Sequence, residues 1–530
     1  MYNRLNLSKL NRLVSKSKNP EPFIQTFENL KNLDSFISLK NKDFEKGTLR
    51  IKEPGVYILA EDIVFHPNPL NDCQPLPEQQ EYPTISGSPY TLGFFAAIAI
   101  ETHGVIIDLN GYQIKQSFEH YVHQRFFALI ELASSPFFTR QGPASFDNQV
   151  NKFKNGCDIL ITNGTIGFSS HHGIHANSAT NVILDNLNFI DFEVAGIALN
   201  GSKNVIINNV TIKNNLQKVP LNAKYSQSRF LRRHLKRVYD LTLNKKTAQK
   251  LLTEIENTIN VAKKQTIRYF KHNTPLKNIP EIFRNEEILG DGAVYGIVLH
   301  QNGVVIGPFL KERNINKGNC NIILENVTIQ NLKSKPKEIV GINRDGNNTK
   351  TYSGKVMTGP VGDVFDILFN TDLNCNYNQN ILADAQTFIA KCDLNNDKNS
   401  GTTSISQKII DWVEGKITLT DSIQKRPVSC LVFGGDSMAH AMKGNIGLFI
   451  SGGKDFYLNN VCVSDIKNFS KDIGTIPKKA KIIYEKLTYP KSLTPDGITD
   501  LGGKDYNTLL VASENINFSN HKGGFEVINQ

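Results

Sequence analysis

The sequence predicts an all-β chain, a right-handed parallel β-helix solenoid with an N-terminal helical cap and inserted α-helical and loop segments. Two repeats carry the prediction. Asp158–Ile166 (DILITNGTI), Asn181–Phe189 (NVILDNLNF) and Asn204–Ile212 (NVIINNVTI) align without a gap, and their starts are 23 residues apart. Later copies begin at Asn321 and Asp455, with a weaker one at Asn515. A second strand recurs eight residues upstream of the copies at 181, 204 and 455, as Gly173-Ile-His-Ala, Gly196-Ile-Ala-Leu and Gly447-Leu-Phe-Ile. Gly296-Ile-Val-Leu repeats it with a longer connection.

Such a period follows from stacking. Each coil supplies short strands with aliphatic residues inward and polar ones outward, and one coil cannot bury its own apolar face. Equivalent positions therefore stack on neighbouring coils at about 4.8 Å. Asn163, Asn186 and Asn209 share one register, as do Asn326 and Asn460. Stacked amides bond along a ladder and tolerate left-handed backbone. Glycine at 173, 196, 296 and 447 marks a corner that lacks room for a side chain or needs positive φ. A leucine-rich solenoid would show its own Leu spacing, and a sandwich would not hold a 23-residue register. The N-x-[ST] sequons at Asn163, Asn209 and Asn326 fall on ladder positions and read as structural.

The elements follow in order. Residues 1–50 read as the cap: Arg4, Lys9, Arg12, Lys16 and Lys18 come without an acid, and Phe23, Phe27, Leu30 and Ile37 follow Pro20 and Pro22 near helical spacing. Residues 51–215 read as the first part of the β-helix, with strands at Gly55-Val-Tyr-Ile-Leu and Asp62-Ile-Val-Phe, then a proline-rich loop from His66 to Pro89. The first recognisable coil is Phe94–Ile100 with Val105–Ile114, and a loop over 115–157 carries the short strand Phe127-Ala-Leu-Ile-Glu-Leu. Residues 216–290 break the period, with helical patterns at Ser226–Leu241 and Ala248–His272; 224–271 set thirteen Lys and Arg against Asp240, Glu254 and Glu256. This basic insertion suits an acidic partner or a solvated face. The β-helix resumes over 291–332 and again over 446–530. Residues 333–445 are a loop insertion with helix-like Val364–Phe369 and Ile409–Val413.

Composition narrows the class. Hydrophobic content of 39% with 21% charged residues suits a folded chain and excludes disorder. The longest apolar run, Leu92–Ile100, is too short for a membrane helix, and no secretory h-region is present, so an intracellular location is expected. Seven cysteines without CxxC spacing suggest neither a disulfide framework nor a zinc site. A net charge of +10 over 530 residues is a mild excess that suits an acidic partner.

Register arithmetic brings candidate chemistry to one edge. Before the glycines stand His171 and His172, Asp191 and Glu193, Asp291 and Tyr295, and Lys443; His175, Asn200 and His300 lie just after. His171, His172, Asp191, Glu193 and Asp291 are the candidate catalytic residues, because an imidazole between carboxylates is a workable acid–base set for glycan cleavage or epimerisation. His175, Asn200, Tyr295, His300 and Lys443 are the candidate substrate-binding residues. His, Asp and Asn also cap strands at solenoid corners, so a structural use stands beside the catalytic one. His171 and His175 with Asp191 or Glu193 make a mixed donor set, but no recognised metal spacing is present. A second group, Glu119, His120, His123 and Arg125, suits an anionic sugar or an exposed loop. No cofactor motif, phosphate loop or Ser–His–Asp signature appears.

With these residues in place, the chain resembles the pectate-lyase-like right-handed β-helix superfamily over its coils. More narrowly, PGVYILAEDIVFHP, VIIDLNGYQIKQS, SSHHGIHANS, DFEVAGIALNGSKNV and MKGNIGLFISGGKD are similar to β-helix repeat proteins of giant DNA viruses and algae. The resemblance covers roughly 50–215, 291–332 and 430–470. It implies a fold, not a reaction. The lyase family's calcium-binding Asp residues and Arg base have no residue-by-residue counterpart here. Two functions are then expected. One is binding and modification of an acidic or neutral polysaccharide by a lyase, epimerase or hydrolase; the other is a non-catalytic structural or adhesive part of a virion or its fibre layer. A homo-oligomer is compatible with both.

Overall fold

The computed structural model describes residues 12–73, 75–76, 94–122, 128–136, 153–214, 232, 235–236, 238–271, 294–301, 315–334, 405–416, 445–468 and 505–528. Within these residues the protein is mostly β. Eighteen strands form one hydrogen-bonded system, and every strand pairing is parallel. An isolated antiparallel bridge joins Ala133 to Asn155.

The strands stack in three columns. The first holds Leu49–Ile51, Ala96–Ile100, Ala128–Glu131, His172–Asn177, Ala195–Asn200 and Tyr295–His300. It continues through the beginnings of Ile446–Asn468 and Tyr506–Ser519 to Phe525–Ile528. Its register is unbroken: Ile98, Ile130, Ile174, Ile197, Ile297 and Leu448 pair in succession. The second column starts at Phe36–Leu39, Gly55–Leu59 and His103–Asp108. The long strands Cys157–Ser169, Thr180–Phe192, Lys203–Asn214 and Asn319–Ser334 serve both the second and third columns. This repeat-like parallel arrangement fits a parallel β-helix.

One residue makes each bend between those two columns. Asn163, Asn186, Asn209, Asn326 and Asn460 all have positive φ, between 51° and 60°. Their amides bond along the stack: Asn186 Nδ2 donates to Asn163 Oδ1 at 3.0 Å, Asn209 to Asn186 at 2.9 Å and Asn460 to Asn326 at 2.7 Å. A parallel ladder opens the second column, where Asn204 Nδ2 donates to Asn181 Oδ1 at 2.9 Å across 23 residues, and Asn321 to Asn204 at 2.9 Å across 117. The same contact spans both separations, so the insertions leave the register unchanged. Asn186→Ala and Asn186→Gly both lose two ladder bonds, but alanine keeps a Cβ in left-handed backbone without the amide that offsets its strain, and glycine has none. Urea unfolding is expected to show the alanine variant about 1–2 kcal/mol less stable than the glycine one.

The glycines of the second repeat lie inside first-column strands, with ordinary φ. A Cβ on Gly173 would stand 2.5 Å from the carbonyl oxygen of Gly196, and one on Gly296 would stand 2.5 Å from that of Gly447. Lack of room, not a positive φ, requires them.

Helix α1 (Glu21–Lys31) follows Pro20 and packs against the outer face of the second column. Phe23, Phe27 and Leu30 join Leu13 and Val14 in one apolar cluster with Val56, Ile106, Leu160, Ile183, Ile206 and Ile323, which form that column's outward row. Polar contacts fasten the same segment. Thr26 Oγ1 donates to Asp158 Oδ1 at 2.9 Å, Lys16 pairs with Glu325 at 3.1 Å and Lys18 with Asp455 at 2.9 Å. Residues 12–31 therefore strap several coils together.

Helix α2 (Phe118–Tyr121) is capped by the Ser117 hydroxyl. Helix α3 (Lys245–Lys271) buries Ala248, Leu251, Ile255 and Ile259, and Lys263 pairs with Asp72 at 2.5 Å. Helix α4 (Ile405–Val413) meets the start of α3, where Asn244 Nδ2 donates to the Val413 carbonyl at 3.2 Å. The helical patterns at 226–241 and 364–369 fall largely or wholly outside the described residues. Among the described residues no helix is long and apolar enough to cross a membrane.

Candidate functional site on the first column

Insertions enter the coils at particular corners. From the third column to the first, the chain runs on between Phe65 and Ala96, Gln116 and Ala128, Asn214 and Tyr295, Ser334 and Ile446, and Asn468 and Tyr506. From the first column to the second it does so between Glu131 and Cys157 and between His300 and Asn319. The bend between second and third columns takes no long excursion. Both edges of the first column are thus where sequence is added.

The outward side of this column carries polar chemistry. Alternation turns Ile174 and Ala176 inward and leaves His175 and Asn177 outward, and the break at Gly173 brings His172 to the same outer side, where it stacks on His175. The register places His175 on Glu131, and Asn177 beneath Asn200 and His300. All are buried: His172, Glu131 and His300 have no exposed surface, and His175 has 2%.

One imidazole organises this group. His175 Nδ1 lies 2.7 Å from Glu131 Oε2, and Asn200 Nδ2 lies 3.2 Å from His175 Nε2. Asn200 Nδ2 also donates to Asn177 Oδ1 at 3.0 Å, and Asn177 Nδ2 donates to the Pro136 carbonyl at 2.8 Å. The carbonyl fixes the Asn177 amide, which fixes that of Asn200, so His175 accepts at Nε2 and donates Nδ1–H to Glu131. Burial pushes the Glu131 carboxyl well above the usual carboxylate range. Burial also pushes His175 and His172 well below the usual imidazole range, with nearby His171 acting in the same direction. A neutral acid whose Oε2 accepts from His175 satisfies all of these conditions. Its Oε1 and the Asn200 Oδ1 are buried without a hydrogen-bond partner among the described residues. Leaving such an oxygen unmet costs about 1–3 kcal/mol each.

The other candidates are placed as follows. His171 and His172 meet edge to face at 4.1 Å, and His172 stacks on His175 at 5.3 Å. Glu193 belongs to a separate network at the entry to its strand, where the Tyr121 hydroxyl of α2 donates to Oε1 at 2.5 Å. Tyr121 stacks on Phe168 at 4.5 Å, and burial together with Glu193 pushes its hydroxyl well above the usual phenol range. Asp191 is half-buried at a positive-φ position beside the Tyr121 group. Tyr295 is buried against Phe449, with ring centroids 6.0 Å apart, and His300 Nδ1 donates to the Gln301 carbonyl at 2.8 Å. Asp291 and Lys443 lie outside the described residues, as do His123 and Arg125. His120 is buried beside Gln116, 2.9 Å away. Among the described residues no three His, Cys, Asp or Glu side chains gather as a metal-binding group.

The structure therefore brings together His172, His175 and Asn200, and keeps Glu193 in a different group. Glu131 is absent from the sequence candidates because its coil lacks the corner glycine; Leu129 stands where later coils have Gly173 and Gly196. Its alternation within Ala-Leu-Ile-Glu-Leu was the available signal.

No family model, curated protein or solved structure matches this chain.

Proposed function

We propose that the chain is a right-handed, pectate-lyase-like β-helix protein that binds a polysaccharide along its first column and modifies it there. One observation carries the reading: insertions border both edges of a column whose outward row holds a buried carboxyl against a fixed imidazole, and that burial favours the protonated acid. A carboxylic acid held protonated at neutral pH is a proton donor suited to leaving-group departure or proton exchange at a sugar carbon. Glu131 is the candidate acid, and His175 is its positioning residue.

The test incubates the whole chain with neutral and uronate polysaccharides, following new reducing ends, unsaturated uronate and changed sugar composition. Glu131→Gln keeps the shape and removes the proton. Turnover is expected to fall about 10²–10⁴-fold with glycan binding retained. Wild-type turnover by this variant would remove the catalytic assignment.

A non-catalytic reading, as a rigid structural or adhesive component of a virion or its fibre layer, is favoured by the burial of His172, Tyr295 and His300 and by the strap across the coils. Abundance of the chain in purified particles, with no glycan turnover, would select it.

A further inference from the structure

We infer that the outward side of the first column takes neutral, hydroxyl-rich sugar units rather than uronates, at Glu131 Oε1, Asn200 Oδ1 and Ser451 Oγ, which lie on separate coils. The inference rests on the glycan reading above and settles which class of sugar that face accepts.

Asn200 supplies the first reason. Its Nδ2 is committed to His175 and to Asn177, so Oδ1 can only accept. A ligand that satisfies it must bring an O–H or N–H, which sugar hydroxyls supply and an ionised carboxylate does not. Glu131 supplies the second. Its Oε2 is engaged by His175, and Oε1 stands buried without a partner among the described residues. Whether it presents O–H or a carboxylate oxygen, it meets a hydroxyl favourably.

Register supplies the third. Asn177, Asn200, His300 and Ser451 occupy one outward row on successive coils, spaced at about 4.8 Å. The Ser451 hydroxyl is buried and, among the described residues, has no hydrogen-bond partner. The row thus repeats small neutral polar groups along the coil axis, which suits consecutive hydroxyl-bearing units. Arg50, in the same row as Glu131, is tied to Glu101 and to the Ser134 carbonyl at 3.1 Å, leaving it poorly placed to receive an anion.

Calorimetry on the whole chain would compare neutral gluco- and manno-oligosaccharides with oligogalacturonates of matched length. Neutral oligosaccharides are expected to bind, and oligogalacturonates at least about 100-fold more weakly. Asn200→Ala is expected to weaken neutral binding about tenfold. Urea unfolding of the Asn200→Ala variant beside wild type shows that it is folded, so that weaker binding reports the lost oxygen and not misfolding. Tighter binding of oligogalacturonate would overturn this inference while leaving glycan recognition intact. Failure of both classes to bind would remove the glycan reading itself, and this inference with it.

Discussion

Phe27→Ala is expected to lower the unfolding free energy by about 3–5 kcal/mol, measured by urea denaturation of the whole chain. Phe27 is 2% exposed and packs with Phe23 and Leu30 on the outward row of the second column. Its loss opens a cavity between α1 and strands from several coils, and those strands cannot move together to fill it, because each is hydrogen-bonded to its neighbours. Lys16→Ala breaks only a partly exposed ion pair with Glu325 and should cost less than about 1 kcal/mol. Equal effects of the two variants would mean that the strap is held by charge and not by burial.

Acid sensitivity is the second large effect, and its sign follows from the direction of each shift. His172 and His175 titrate below their unfolded values when folded. Their contribution to stability is present above about pH 6.5 and is lost as pH falls below it, because the unfolded chain then binds the protons more tightly. Glu131 works the other way: its folded value is raised, so stability grows as pH falls from that value toward about 4.3. As pH falls below about 6.5 the two imidazoles predict a loss of stability that Glu131 partly offsets, and Glu131→Gln removes the offset and steepens the loss. His66 and His521 are also shifted down by partial burial and add in the same direction. Unfolding at fixed pH steps across this window checks the slopes. A flat wild-type profile would mean that the imidazoles are solvated or already charged.

The coil register was the most legible feature, because stacking forces identical spacing wherever a coil is uninterrupted. Asn181 and Asn204 lie directly over one another, as their separation implies. Insertions obscured the rest: Asn321 bonds to Asn204 across 117 residues, a distance that carries no periodic signal. At the site, spacing put His172 on the edge before a stacked glycine and His175 and Asn200 just past it, since each has a fixed offset from that glycine. It did not separate Glu193 from them. Glu193 is drawn to Tyr121, on a short helix outside the repeat, and such contacts leave no trace in the period. Glu131 had no glycine to mark it. Burial of the whole row was equally invisible, because outward polar residues in a repeat normally read as solvated.

The premise of the proposed chemistry is a protonated Glu131 within that buried row. An infrared difference spectrum between wild type and Glu131→Gln at neutral pH, on protein labelled with carbon-13 at glutamate carboxyls, reads that state directly. A carboxylic acid carbonyl band present in wild type and lost in the variant is the predicted result. Loss of carboxylate bands alone would show an ionised Glu131 and contradict the account.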